Sequence, residues 1–151
     1  GTTPLMALAG VGYAEGFISH HSPEETMGAM RLIIELGADV RATNKRGLTA
    51  LHGAAHRGDD QIIQALADMG AQLDLRDKSE GAILGQSGGP GLTPLDWAMG
   101  VMISAASPIY KETSANLLMK LMREQNLPIP EAAMKTIGGR RSTAGTGVNK
   151  Q

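Results

Sequence analysis

Cysteine is missing from all 151 residues, which excludes a disulfide framework, a cysteine-ligated zinc site and a thiol nucleophile. Its absence fits a reducing or an oxidising compartment equally well, so it does not place the protein. Aromatic rings are scarce, with one tryptophan, two tyrosines and one phenylalanine, so the position of each one carries information. Neither sign of charge dominates: 14 basic residues face 15 acidic ones, interspersed along the chain. A nucleic-acid-binding face needs a clustered basic patch, and none is visible. No apolar run approaches the roughly 18 residues of a membrane-spanning helix, and no stretch reads as a signal peptide. The length suits a single domain.

The most informative stretch runs from Gly47 to Gly70. Thr49 is placed to cap a helix, its hydroxyl accepting a hydrogen bond from an otherwise unpaired N–H of the first turn. Leu51, Ala54 and Ala55 lie at spacings of three and four and form a small apolar stripe. The short alanines let two helices approach closely. Gly58 ends this helix, because glycine takes the left-handed conformation without a Cβ penalty. Asp59 and Asp60 open a second helix, where the helix dipole favours negative charge. Ile62, Ile63, Leu66 and Met69 give that helix a larger apolar face, and Gly70 closes it. Periodicity and local chemistry agree throughout, as a foldable unit requires.

This block resembles one repeat of the ankyrin family, and Ala71-Gln72-Leu73-Asp74 continues the match into a following hairpin. Thr3-Pro4-Leu5-Met6-Ala7 opens another copy, which Leu32-Ile33-Ile34-Glu35-Leu36-Gly37-Ala38-Asp39-Val40 closes. Thr93-Pro94-Leu95-Asp96-Trp97-Ala98 opens a third, with Leu117–Met122 in its second helix. In both, proline follows the capping threonine at the first helical position, where its missing N–H costs little. Thr3, Thr49 and Thr93 recur at intervals longer than the roughly 33 residues of an ankyrin repeat. The excess is localised within Gly10–Glu25, Ser79–Pro90 and Gly100–Thr113, and reads as insertions.

The resemblance implies an all-α ankyrin-repeat solenoid of stacked helix–turn–helix units joined by β-hairpin-like loops. Residues 1–137 form the repeat domain, with repeats at about 1–45, 46–78 and 91–127 and a short helix at Pro130–Lys135. Asn126 is placed to end the preceding helix in place of a glycine. Residues 138–151 have the composition of a flexible tail. The resemblance further implies a non-catalytic module that binds another protein through hairpin tips, concave face and inserted loops. The residues it points to are Asn44, Lys45, Arg46, Arg57, Arg76, Asp77 and Lys78. Tyr13, Phe17 and Tyr110 fall in the insertions, and exposed rings are favoured anchors in binding sites. The competing reading of each ring is that it packs down and holds its loop. Trp97, on a first helix, reads as core.

Other chemistry is weaker. His52 matches the histidine of the ankyrin Thr-Pro-Leu-His motif, which implies a structural ring bonded to neighbouring backbone across the hairpin–helix junction. His56, one turn later, reads as a partly exposed helix residue. His20, His21, Glu24 and Glu25 resemble a metal cluster, but Ser22-Pro23-Glu24-Glu25 reads as a helix start and places His21 before it. No serine has a nucleophile elbow. The glycine pairs lack the Lys-Ser/Thr of a phosphate loop. No enzyme activity, cofactor or metal is expected. Arg140-Arg141 is too thin a basic patch for nucleic acid.

An alternative class is a structural subunit or processed segment of a larger assembly. Thr3 lacks a preceding hairpin, so upstream repeats or another subunit are expected to cover that end, and the tail is expected to lie against a partner chain. Long insertions also resemble those of ankyrin proteins in environmental bacteria, some exported, which points to a periplasmic or secreted location.

Overall fold

The computed structural model describes residues 1–12, 22–78, 91–100, 109–130 and 133–134. Among the described residues six helices carry the fold: α1 (Pro4–Ala9), α2 (Pro23–Glu35), α3 (Ala50–Arg57), α4 (Asp60–Asp68), α5 (Pro94–Ala98) and α6 (Glu112–Glu124). No strand occurs among the described residues.

Each first helix starts the same way. The hydroxyls of Thr3, Thr49 and Thr93 accept from the N–H groups of Met6, His52 and Asp96 at 3.3, 3.4 and 3.2 Å. The reciprocal bond returns to the threonine N–H from three different acceptors: Met6 Sδ, His52 Nδ1 and Asp96 Oδ2. The geometry of a capping box survives although no Glu or Gln stands at its third position. Ser22 and Glu25 make the glutamate form of the same box at the start of α2, at 3.1 and 2.8 Å. The helix-start reading of this segment holds: Ser22 precedes the helix and Glu25 Oε2 bonds back to its cap. His20 and His21 lie outside the described residues, and those described hold no group of three potential metal ligands.

The helix ends also follow their sequence signals. Gly10 and Gly58 adopt left-handed φ of 113° and 80° after α1 and α3. Asn126 takes φ 55° after α6, the one described non-glycine residue with positive φ. Ala133 N–H donates to Pro130 O at 3.0 Å, and Ala133 and Met134 are helical. The remainder of 131–137 and the tail lie outside the described residues. α6 begins at Glu112, so the end of the expected third insertion is already helix.

α1, α3 and α5 stack as one row, and each pairs with its second helix: α1 with α2, α3 with α4, α5 with α6. Their close approach depends on Gly53, where an added Cβ would stand 2.5 Å from the Val11 backbone nitrogen. Leu51, Ile63, Leu66, Leu95 and Leu118 are fully buried between the rows. Burying a Leu or Ile side chain contributes about 1.5–3 kcal/mol, so this aliphatic set dominates cohesion. In the second row α4 packs on α6, whereas α2 and α4 are not among the closely packed pairs.

Candidate functional site

The turn before α3 and the one before α5 lie side by side, and a set of hydrogen bonds locks them. Asn44 Oδ1 accepts from the N–H groups of Arg46 and Leu48 at 2.9 and 3.0 Å, shaping the first turn. Lys78 N–H donates to Arg46 O at 2.8 Å, joining the two turns. Asp77 N–H donates to Leu92 O at 2.9 Å, and Asp77 Oδ1 accepts from Leu92 N–H at 2.9 Å. Asp77 Oδ2 accepts from Trp97 Nε1 at 3.0 Å. Gly91 is required here by both geometry and space: its φ is 74°, and a Cβ would fall 1.8 Å from Asp77 O.

His52 reaches the same point from α3. Its Nδ1 accepts from the Thr49 N–H at 3.1 Å, so Nε2 carries the proton and donates to Leu92 O at 3.1 Å. The ring thus bridges its own helix start to the next repeat, forty positions along. Burial pushes the imidazole below its ordinary value of 6.5, against the opposing pull of the Leu92 carbonyl and the carboxylates of Asp77 and Asp96. This neutral, fully committed histidine is a structural device.

The structure sorts the expected contact residues into two kinds. Lys45, Arg46 and Lys78 are exposed and lie together on the locked edge, with Arg76 beside them. Arg76 also donates to Gly91 O at 2.9 Å, and its guanidinium stands 4.0 Å from Asp96. Arg41, not anticipated from the sequence, adds a further exposed cation and ties its Nε–H to Gly70 O at 3.0 Å.

Asp77 is the correction. It is 5% exposed and holds Leu92 and Trp97, so its carboxylate is not presented to a partner. Asn44 is half-buried and its side-chain oxygen is committed to the turn. Arg57 is likewise half-buried, with Nη1 donating to Leu8 O at 3.4 Å and bracing α3 against α1. Tyr110 is half-buried against the core, so it follows the packing reading of the ring rather than the anchor reading. Tyr13 and Phe17 lie outside the described residues. Trp97 is core as expected, with His56 edge-on to it at 5.3 Å between centroids.

A family model for ankyrin repeats in three copies matches residues 22–107. The chain belongs to the ankyrin repeat family. The match reaches neither α1 nor α6. Both join the ankyrin stack by packing, α1 against α3 and α6 against α4 and α5. No curated protein sequence shows significant similarity to the chain. Ankyrin repeats are generally protein–protein interaction modules and typically non-catalytic. No helix among the described residues is long and apolar enough to cross a membrane.

Proposed function

We propose that this ankyrin stack is a non-catalytic binding module whose turn edge, bearing Lys45, Arg46 and Lys78, docks an acidic surface on a partner protein. The supporting observation is that three exposed cations sit on turns held by the Asn44 bonds, by Lys78 N–H to Arg46 O, and by the Asp77–Leu92 pair next to Lys78. A pre-formed edge loses little conformational freedom on binding. The nearby exposed acids, Asp39 and Asp74, are outnumbered by Arg41, Lys45, Arg46, Arg76 and Lys78. The concave side next to this edge and the inserted loops complete the surface in this reading, which involves no cofactor and no nucleic acid.

The test is quantitative affinity capture with the full chain against a Lys45→Glu/Arg46→Glu/Lys78→Glu variant, joined to cross-linking mass spectrometry. The proposal expects one or more proteins retained by the wild type, lost from the variant, and cross-linked at Lys45 or Lys78. Equal retention by both chains, with no cross-link at either lysine, contradicts it.

A second reading, a subunit within a larger assembly, has one specific observation in its favour. Leu32 in the last turn of α2 and Leu36 at its C-cap, four positions apart, are 56% and 78% exposed. In that reading another subunit covers the first repeat. A solution mass that rises with concentration, and stays monomeric in Leu32→Lys/Leu36→Lys, would favour it.

A further inference from the structure

The side of the stack away from the turn edge carries an open groove of about 1000 Å³ over α4. Its origin is visible in the helix lengths. α4 has 9 residues, whereas α2 and α6 have 13 each, and α2 does not close onto α4. Gln61, Gln64, Ala65 and Asp68 of α4 line it, an i, i+3, i+4, i+7 stripe. Met27 of α2, Met69 at the C-cap of α4 and Leu117 of α6 supply apolar surface, with the buried Met30 of α2 behind them. Unbranched, polarizable methionines adapt to the shape of an incoming side chain.

Charge around this groove is one-sided. Among the described residues, Glu24, Asp60 and Asp68 line it, against the single cation Arg31. Glu24 is held below the ordinary carboxylate range by hydrogen bonds from its own backbone N–H and from Ser22, so it stays charged. The turn edge has the opposite sign, which makes the two surfaces electrostatically distinct.

We infer that this groove is a second docking site, and that its occupant is an amphipathic helix of a partner whose apolar stripe is flanked by Lys or Arg. Apolar side chains at i, i+3 or i+4, and i+7 would enter between α2 and α6 over Ala65, the helix-in-groove mode of recognition. Basic flanks would meet Glu24 and Asp68 across the groove. Charge complementarity of this kind selects the partner and speeds encounter. The inference does not depend on the turn edge being a binding surface.

The probe is a synthetic 16-residue helical peptide with leucines at that spacing and lysines flanking them, compared with an otherwise identical peptide carrying glutamates. Titration calorimetry on the full chain is expected to show binding of the lysine peptide, weakening with salt, and much weaker binding of the glutamate peptide. Glu24→Lys/Asp68→Lys should weaken the lysine peptide by about tenfold or more, since each rim charge then repels. Asp60 is left intact because its carboxylate accepts from the Ser114 hydroxyl. If the double reversal loses helix content, Glu24→Gln/Asp68→Asn serves instead and should produce a smaller loss in the same direction. The inference is overturned if neither peptide binds, if both bind equally, or if a folded rim variant binds unchanged. Self-association of the chain that the rim variants abolish would overturn it too, by making a second copy the occupant.

Discussion

The two sides of the stack are built on different principles. On the turn edge, buried polar groups meet from four places in the chain: His52, Asp77, Leu92 and Trp97. Every one of those bonds is between groups removed from water, where an unmade bond is costly, so the edge is held in one geometry. On the second-helix side α4 packs on α6, but α2 stands off α4, and the groove left between them is lined mainly by methionine, alanine and polar groups. The difference teaches that repeats of one family divide the labour between rows. The first-helix row and its turns set the shape, and the second-helix row is free to vary in spacing.

That contrast can be broken most severely at Asp77. Asp77→Ala leaves the Leu92 N–H and Trp97 Nε1–H buried without acceptors, at about 1–3 kcal/mol for each. Urea denaturation should show a loss of roughly 4 kcal/mol, taking each group near the middle of that range. A loss under about 1 kcal/mol would mean that the edge is not locked through this carboxylate. Gly53→Ala drives a Cβ into the backbone at Val11 and should destabilise by about 1–3 kcal/mol through overpacking of α3 against α1. The comparison residue is Gly28 on α2, where nothing lies within 4 Å of an added Cβ. Gly28→Ala should stabilise by up to about 1 kcal/mol through helix propensity.

A gentler probe is pH. The folded His52 imidazole titrates below its unfolded value of 6.5, so the unfolded chain binds the additional proton first. Its contribution to stability is therefore fully present above pH 6.5 and is lost as pH falls through the lower folded value. Protonation would also place an Nδ1–H against the Thr49 N–H that it now accepts from. Midpoints of urea unfolding between pH 7.5 and 5 should fall for the wild type and fall less for His52→Asn. Parallel profiles would remove His52 from the lock. The smallest effect belongs to the exposed cations: Lys45→Glu/Arg46→Glu/Lys78→Glu should change stability by no more than about 0.5 kcal/mol per site, separating binding from folding in the capture experiment.

Much of the architecture was legible because it is local. Thr49, Gly58, Asp59 and Gly70 act on their own helix ends, and so does Asn126, whose positive φ follows from its ability to enter the left-handed region. Ser22 and Glu25 were readable for the same reason, as the capping box that opens α2. The ankyrin assignment followed from these units repeated. The candidate surface was only partly legible. Lys45, Arg46 and Lys78 are exposed as their position in turns suggests. Asp77, between Arg76 and Lys78, looks the same in sequence, yet its partners lie fifteen and twenty positions away, across a segment whose length says nothing of where it returns. Arg57 and Tyr110 are similar cases, since contact with Leu8 and with the core depends on how repeats stack. The groove over α4 was not readable at all. It arises from the spacing of α2 and α4, and spacing between helices is a property of packing.

Residue-resolved amide hydrogen exchange on the intact chain tests the central contrast most directly. The account predicts that the amides of Thr49, Asp77, Lys78 and Leu92 exchange with the slow class of α3 and α5, while α2 exchanges faster than α4 and α6. Fast exchange at Asp77, Lys78 and Leu92 beside a uniformly slow second-helix row would contradict it.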